Sequence, residues 1–362
     1  MFIESLRFRD WRNISQASVE GCGQFVVLHG KNGMGKSNIL EALYVMSTLK
    51  SFREHISSNF IRWGSHSAMI EGNIRTEYGH RKLTCTVASK GRNLQIDGLK
   101  CTKLSTWFSL IRAILFCPGT IGIVREGPDV RRKFLDRARF TANPSYLMLV
   151  RNYMRSLDQK KALLKMPSVD LEQLNIWNEQ LINLGVRIAS QRQMILKELM
   201  TPFQSMHKAI TGYDDVSLEL TGLGAQKPED LRPYFQEKLK ESQKDEIRLR
   251  RCLVGPHSDD LNILMGGKLA KKFASQGQVR SIVLALKLAE VEAAKLRGET
   301  PLFLIDDLSS ELDRERTHQL LSLLSRHENQ IWITTTDPNY LGSVPFSKRT
   351  RFYIENGTIK NV

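Results

Sequence analysis

The chain has 362 residues, of which 41% are hydrophobic and 25% charged, a composition typical of a folded globular protein rather than a disordered one. Lys and Arg number 53 against 38 Asp and Glu, so the formal net charge of +15 favours a polyanionic partner such as nucleic acid or anionic lipid. No segment approaches the roughly 20 apolar residues that span a bilayer, and residues 1–12 lack the apolar core of a secretion signal. We therefore expect a cytoplasmic protein with no membrane partner. Five widely spaced cysteines without a CxxC pair predict neither a zinc site nor a disulfide framework.

The N-terminal part of the chain alternates strand and helix signals. Residues 2–11 and 24–29 are β-rich, and we interpret them as paired strands, the second ending at Gly30. Residues 38–49 place apolar side chains at near-helical spacing, so a strand, a Gly-rich loop and a helix follow in order. Residues 68–98 alternate polar and apolar positions with Gly at turns, which predicts a small antiparallel sheet.

The middle of the chain, from residue 144 to about residue 251, carries almost no strand signal. Apolar residues recur every seven positions from Leu174 to Ile195, which predicts a helical arm. Polar residues interrupt this seam, so an ordinary helical bundle is favoured over a long coiled coil. A helix over 277–297 and an apolar strand over 301–305 then restore the α/β character.

A phosphate-binding loop is the clearest motif. Residues 30–37 read GKNGMGKS, which fits G-x-x-x-x-G-K-[ST] between a predicted strand and a predicted helix. Its glycines let backbone N–H groups surround phosphate oxygens, while Lys36 reaches the β- and γ-phosphates and Ser37 ligates Mg²⁺. We therefore predict that the protein binds ATP with Mg²⁺. The predicted nucleotide-binding residues of this loop are Gly30, Lys31, Asn32, Gly33, Met34, Gly35, Lys36, Ser37 and Asn38.

A pair of aspartates follows an apolar strand late in the chain. Residues 301–307 read PLFLIDD, and a P-loop ATPase needs an acidic residue at the end of such a strand. Asp306 is predicted to hold Mg²⁺ together with Ser37, and Asp307 to act as general base on the attacking water. Lys36 and Asp307 are accordingly the predicted catalytic residues.

A third motif, FASQGQVRS, precedes that strand. Ser275, Gly277 and Gln278 open a helix with small residues and free N–H donors, which suits a γ-phosphate. With PLFLIDD and the SSELD run at 309–313, the order resembles the signature, Walker B and D-loop series of ABC ATPases. In that class the signature serves the ATP of a second subunit, which implies an ATP-dependent homodimer.

Several of these motifs together resemble the RecF family. The matching segments, spread from the first to the last fifth of the chain, are GKNGMGKSN, RRKFLD at 131–136, GPHSDD at 255–260, SQGQVRS with ALKLAE, and IDDLSSELD. The family is similar to SMC heads, with a short helical arm in place of a long coiled coil. The resemblance implies an α/β fold, an ABC/SMC-like P-loop ATPase head with an inserted α-helical arm domain. The implied segments are 1–130 and 251–362 for the two parts of the head and 131–250 for the arm.

The function implied by the resemblance is ATP-dependent DNA binding in DNA replication and recombinational repair. The family dimerises on double-stranded DNA and single-strand gap junctions, works with RecR and RecO to help RecA load, and acts as a weak DNA-stimulated ATPase switch. In this chain Ser258 stands where the family usually has Arg, and Thr334–Thr336 stand in place of an ABC switch histidine, which predicts slow hydrolysis. The alternative is the ATPase subunit of an ABC transporter. The helical segment, the charge of +15 and the missing switch histidine disfavour it.

Clusters of positive charge without nearby acids predict the DNA contacts. Backbone contacts need several cations but no particular one, so we expect binding that is independent of sequence. His257 is interpreted as a turn histidine satisfied by the backbone rather than as a catalytic residue. The principal predicted DNA-binding residues are Arg131, Arg132, Lys133, Arg250 and Arg251, and further candidates are Arg137, Arg139, Arg248, Lys271 and Lys272.

Overall fold

A computed structural model describes residues 1–54, 56–77, 79–89, 91–308, 314–325, 328–341 and 349–362. The chain forms two compact units, one of residues 1–120 with 290–362 and one of residues 121–289. All five cysteines are free. Across the described residues no helix combines the length and apolar character needed to cross a membrane.

Fifteen strands and ten α-helices are defined within the described residues. The strands are β1 (Phe2–Trp11), β2 (Ile14–Glu20), β3 (Phe25–His29), β4 (Ser67–Thr76), β5 (Gly79–Ala88), β6 (Gly91–Ile96), β7 (Leu99–Lys100), β8 (Ala113–Phe116), β9 (Val216–Leu220), β10 (Leu261–Met265), β11 (Lys268–Leu269), β12 (Leu302–Ile305), β13 (Ile331–Thr335), β14 (Arg349–Glu355) and β15 (Thr358–Asn361). The helices are α1 (Lys36–Thr48), α2 (Leu104–Leu110), α3 (Gly122–Arg125), α4 (Pro128–Ala142), α5 (Tyr146–Leu164), α6 (Leu171–Thr211), α7 (Leu231–Leu249), α8 (Ala270–Phe273), α9 (Gln276–Leu296) and α10 (Arg314–Leu324).

The first unit contains a largely parallel sheet that positions the phosphate loop. Its strand order is β15-β14-β3-β13-β12-β8, and only the edge strand β15 pairs antiparallel. The residues of β12 and β13 are all buried, the pattern of parallel strands covered on both faces. Because the strands are parallel, the carboxyl ends of β3 and β12 lie at the same edge of the sheet. The loop after β3 and the aspartates after β12 therefore meet there.

A second, antiparallel sheet in the first unit has the order β2-β1-β4-β5-β6-β7. The sheet predicted over residues 68–98 is confirmed, since β4, β5 and β6 pair in register. The predicted pairing of β1 with β3 is wrong: β1 pairs with β2 and β4, and β3 lies in the parallel sheet. Strand β2 was missed because only Ile14 and Val19 of its seven residues are buried, which leaves a weak apolar pattern.

The second unit is mainly helical. The heptad residues of α6 are buried, and two of them, Leu181 and Ile188, pack in a cluster with α5. The adjacent residues Ile182 and Ala189 pack in a separate cluster with α7, so the expected ordinary bundle is confirmed. Asp170 caps the start of α6 through the N–H groups of Glu172 and Gln173. A short sheet, β11-β10-β9, adds strands that the sequence did not predict. The predicted limit between the arm and the second part of the head, at 250/251, lies inside this unit, where β9 and β10 pair across it.

Candidate functional site

The phosphate loop joins β3 to α1 through three glycines with left-handed backbone. Gly30 has φ 149°, Gly33 φ 80° and Gly35 φ 109°, conformations that only glycine adopts without strain. A Cβ on Gly30 would lie 2.3 Å from the carbonyl oxygen of Ile354, and one on Gly35 would lie 2.8 Å from Oδ1 of Asn13. The loop is thus held closely against its neighbours on both sides. Packing against Ile354 and Asn13 thus requires glycine at positions 30 and 35, in addition to any requirement of a ligand.

Lys36 begins α1 and folds back over the loop. Its Nζ donates to the carbonyl oxygens of Gly30 at 2.7 Å and Lys31 at 2.8 Å. An ammonium group has three donors, so one remains for a phosphate oxygen. Burial lowers the pKa of Lys36, while the nearby carboxylates of Asp307 and Asp306 raise it. The lysine is therefore a buried cation whose charge those two carboxylates support.

Asp306 directly follows β12 and is a buried carboxylate. Burial raises its pKa, whereas hydrogen bonds from the hydroxyls of Ser37 and Thr334 lower it. Thr334, on β13, donates to Oδ1 of Asp306 at 2.8 Å. A hydroxyl and a carboxylate in contact are ligands that Mg²⁺ accepts alongside phosphate oxygens and water. The residues present therefore fit a Mg²⁺ ion bound together with a nucleotide.

Asp307 is the second residue after β12 and has φ 54°. This left-handed backbone is uncommon outside glycine and is maintained by surrounding contacts. The N–H group of Asp307 donates to Oγ1 of Thr334 at 2.7 Å. One threonine hydroxyl thus contacts both aspartates. From the sequence, Thr334 was noted only because it stands where an ABC ATPase has its switch histidine, and no contact with the aspartates was predicted for it. No cluster of three or more His, Cys, Asp or Glu residues suited to a metal occurs in the described part of the chain.

A polar chain beside the loop joins Asn38 to Asn13 and Arg53, which the sequence analysis did not single out. Asn38 donates to Oδ1 of Asn13 at 2.8 Å, and Arg53 donates to Oδ1 of Asn38 at 2.8 Å. Arg12 makes a two-point ion pair with buried Glu41, at 2.8 and 2.6 Å. The signal available in the sequence was the polar pair Arg12–Asn13, which forms the turn between β1 and β2. Its role depends on tertiary contacts with α1.

The signature motif lies in the second unit, at the start of α9. The N–H group of Ser275 donates to Oε1 of Gln278 at 2.8 Å, and that of Gln278 donates to Oγ of Ser275 at 3.2 Å. This reciprocal pair is a capping box, so the expectation that Gln278 offers a free N–H donor is wrong. Ser275 and Gln278 are exposed, and Gly277 is half-buried between them. The predicted D-loop residues, 309–313, lie outside the described residues.

The predicted DNA-binding cations differ in their surroundings. Arg131 is buried and pairs with both carboxylate oxygens of Asp260, at 2.7 and 2.9 Å. Arg132 donates to the backbone carbonyl of Asp259 at 2.5 Å and pairs with Asp129. The prediction that these cations lack nearby acids is therefore wrong for Arg131 and Arg132. The exposed members of the principal set are Lys133, Arg250 and Arg251.

Aspartates of the RRKFLD and GPHSDD segments lie around one arginine of α6. Arg192, buried in α6, donates to Asp136 at 2.9 and 3.0 Å and to the carbonyl of Pro256 at 2.6 Å. Asp259 accepts N–H bonds from Leu223 and Gly224. Both segments thus contribute to one buried network, and Arg192 was not singled out from the sequence.

His257 is a half-buried residue of this unit. Its Nδ1 lies 2.7 Å from the hydroxyl of Tyr153, and its Nε2 lies 3.4 Å from the carbonyl oxygen of Cys252. Burial lowers the pKa of His257 to about 4, against a weaker opposing effect of the Cys252 carbonyl. These contacts agree with a histidine satisfied by its surroundings, with Tyr153 as an additional partner.

The comparisons with known proteins agree with this geometry. The family model described as "RecF/RecN/SMC N terminal domain" matches residues 2–360. The chain is 34% identical over 369 residues to the DNA replication and repair protein RecF of Geobacter metallireducens, covering 99% of each chain. A solved structure of the recombination mediator protein RecF-ATP in the RecFOR pathway superposes with a TM-score of 0.89 at 26% identity, covering 100% of this chain and 97% of that one. An Smc head bound to the C-winged helix domain of ScpA shares the fold at a TM-score of 0.60 and 16% identity, covering 100% and 97%. The chain has the α/β fold of an ABC/SMC-like ATPase head and belongs to the RecF family of DNA replication and repair proteins.

Proposed function

We propose that this protein is an ATP-dependent DNA-binding protein of replication and recombinational repair that dimerises on DNA when ATP binds. The observation that carries the proposal is the convergence of Lys36, Ser37 and Asp306 at one edge of the parallel sheet. This arrangement supplies a cation for phosphate oxygens and two oxygen ligands for Mg²⁺. The RecF-ATP structure with a TM-score of 0.89 supports the same reading.

In the proposed mechanism, the loop N–H groups and Lys36 hold the nucleotide phosphates. When bound, Mg²⁺ neutralises negative charge on the phosphate oxygens. Asp307 orients the attacking water and accepts its proton, and Thr334 fixes the backbone of Asp307 relative to Asp306. Asp307→Asn should keep ATP binding and slow hydrolysis, measured as phosphate release. Unchanged hydrolysis would exclude Asp307 as the base.

The proposed dimer uses the signature of one subunit on the ATP of the other. Within its capping box the hydroxyl of Ser275 accepts a hydrogen bond, so its own O–H remains able to donate to a γ-phosphate. Ser275→Arg should preserve ATP binding and abolish ATP-dependent dimerisation. Mixing Ser275→Arg with Lys36→Met chains can rebuild one intact composite site, so partial ATPase activity absent from either parent is expected. Normal activity of Ser275→Arg alone would rule out a shared site.

The proposed DNA contacts are the exposed cations Lys133, Arg250 and Arg251. Each neutralised phosphate of a duplex adds about 0.9 to the slope of log K against log salt, so affinity should fall steeply with salt. Arg250→Glu with Arg251→Glu should weaken binding to gapped duplex equally for all sequences and reduce that slope. Lys100→Glu with Lys103→Glu, an equal change in charge on exposed residues of the first unit, is the control. Equal losses in both variants would show a response to net charge alone.

The proposed role in repair is to help RecA assemble at single-strand gaps together with RecR and RecO. It rests on membership in the RecF family and on the printed assignment of the RecF-ATP structure to the RecFOR pathway. The assay is RecA assembly on gapped DNA with and without this protein, in the presence of RecR, RecO and ATP. Wild type should accelerate assembly and Lys36→Met should not. Equal assembly with both chains would contradict this role.

A further inference from the structure

Two cavities lie between helices α5 and α6 of the second unit. The first has a volume of about 420 Å³ and the second a volume of about 320 Å³. On α5, Ser156 lines the first cavity and Leu149 the second; on α6, Leu184 lines the first and Gln191 the second. The two residues of each helix are seven positions apart, so they lie on the same face of that helix. The cavities are therefore successive parts of one groove, which we call the α5–α6 groove.

The floor of the α5–α6 groove is the outer edge of a hydrophobic core. Leu149 and Leu184 are half-buried and pack against the buried cluster that joins α5 to α6. The half-buried indole of Trp177 lines the first cavity together with Leu184. From Trp177 to Gln191 the groove follows α6 for about 21 Å, the length of four helical turns. A partner in the groove would thus extend an existing core.

Exposed apolar side chains flank the groove. Met148 is 49% exposed, Ile176 is 65% exposed and Met194 is 46% exposed. Each lies on the same helix face as a cavity residue seven positions away, the pairs being Met148 with Arg155, Ile176 with Asn183 and Met194 with Arg187. An apolar floor with apolar side chains beside it is typical of a protein–protein interaction site.

The α5–α6 groove carries positive charge. Arg155 lines the first cavity and Arg187 the second, and no acidic residue is among the described residues that line either cavity. Within the part of the chain that the structure describes, neither arginine forms an ion pair or a side-chain hydrogen bond. Guanidinium groups bind carboxylates strongly when apolar surface around them excludes water. The groove therefore favours a partner that carries carboxylates.

An α-helix fits this arrangement. Two neighbouring helices with a groove between them offer the ridges against which a third helix packs. Arg155 and Gln180 line the same cavity, and Arg187 follows Gln180 by seven residues, about 10 Å along α6. Acidic residues seven positions apart on a docked helix would match the two arginines. A DNA backbone would meet the arginines but would leave the apolar side chains uncovered.

We propose that the α5–α6 groove binds an amphipathic α-helix of a partner protein. Acidic residues of that helix face Arg155 and Arg187, and its apolar residues pack on Trp177 and Leu184. None of the residues proposed to contact nucleotide or DNA takes part. The inference therefore goes beyond the proposed function and does not depend on it.

The test measures the fluorescence polarisation of a labelled peptide in the presence of the intact chain. The probe is a hydrocarbon-stapled helix of about four turns, with leucines along one face and two glutamates seven positions apart beside them. Arg155→Glu with Arg187→Glu should weaken binding about 10-fold or more, because like charges then face each other. A second probe, with lysines in place of the glutamates, should bind this double variant more tightly than it binds wild type.

A further variant and a control separate the groove from overall charge and from folding. Gln180→Trp fills the first cavity from an exposed position and should weaken binding of the acidic probe without any change in charge. Lys240→Glu with Lys244→Glu makes the same change in charge on exposed residues of α7 and should bind the acidic probe as wild type does. Urea unfolding of each variant checks that it is folded.

The inference is overturned if wild type does not bind the acidic probe, or if charge reversal on α7 lowers affinity as much as charge reversal in the groove. It is also overturned if charge reversal in the groove leaves peptide affinity unchanged and instead lowers affinity for duplex DNA or dissociates a dimer of the free chain. The occupant would then be DNA or a second copy of the chain. These peptide measurements need no ATP, so their failure leaves the proposed function standing.

Discussion

Replacing Thr334 by valine tests how the two aspartates are held. Thr334 is buried, donates to Oδ1 of Asp306 at 2.8 Å and accepts from the N–H group of Asp307 at 2.7 Å. Valine keeps the shape of the side chain and removes the hydroxyl. Asp306 then loses one of the two hydroxyl donors that lower its pKa, so that pKa rises further. The N–H group of Asp307 loses its acceptor.

The magnitude follows from the two lost hydrogen bonds. A bond to a charged group contributes about 1.5–3 kcal/mol and a neutral one about 0.5–1.5 kcal/mol, so unfolding should become easier by about 2–4 kcal/mol. Thr334 also orients the carboxylate of Asp306, the proposed Mg²⁺ ligand. Loss of a partner that orients a metal ligand weakens metal binding about 10-fold to 100-fold, so Thr334→Val should weaken Mg²⁺ binding by that factor.

The assay is a Mg²⁺ titration of ATP hydrolysis, together with urea unfolding, for wild type, Thr334→Val and Thr334→Ser. Serine keeps the hydroxyl and loses a methyl group, so it controls for packing. We expect Thr334→Ser to need a Mg²⁺ concentration close to that of wild type and Thr334→Val to need a much higher one. If the valine variant matches wild type in Mg²⁺ dependence and in stability, the hydroxyl does not hold the site and this reasoning fails.

Three further predictions concern other parts of the chain. Gly30→Ala should lower ATP affinity at least 10-fold in a nucleotide-binding assay, because residue 30 has φ 149° and the added Cβ would lie 2.3 Å from the carbonyl oxygen of Ile354. Normal affinity would show that the loop relaxes freely. In the wild type Nζ of Lys160 lies 2.6 Å from the carboxylate of Glu246, so Lys160→Met leaves that carboxylate buried without its cation. Urea unfolding should show that the free energy of unfolding falls by about 3–5 kcal/mol and is largely restored when Glu246→Leu is added. An equal fall in the double variant would refute the ion-pair account. Burial raises the pKa of Asp259 to about 6, so the folded state binds the proton more tightly than the unfolded state. The stability of wild type relative to Asp259→Asn should therefore be greatest below about pH 4 and fall by up to about 3 kcal/mol as the pH rises through 6. A rise in relative stability over that range would contradict the assignment.

The parts of the site that the sequence predicted are those fixed by local chain order. The glycine loop before Lys36 and the aspartates after an apolar strand each lie in one short segment, and parallel pairing brings both to one edge. Thr334 could not be assigned its role, because its contact with Asp306 depends on β13 lying beside β12. The order of strands in a sheet is a non-local property that a periodic pattern does not contain.

Charge in the sequence was harder to interpret than the loop. Arg131 appeared as a free cation because its partner Asp260 is distant along the chain and reaches it only through the fold of the second unit. The capping box at Ser275 and Gln278 was present as an S-x-x-Q pattern, and the sequence reading assigned free donors to it instead. The first error required tertiary information, and the second could have been avoided from spacing alone.

The most direct measurement of the central claim is sedimentation velocity of the intact chain on gapped duplex DNA, with and without ATP and Mg²⁺. The account predicts that wild type sediments as a dimer on the DNA only when ATP is present, because each composite site then joins two chains. Lys36→Met, which lacks the ammonium of the phosphate loop, should remain monomeric under the same conditions. A wild-type protein with the same mass on DNA with and without ATP would contradict the account.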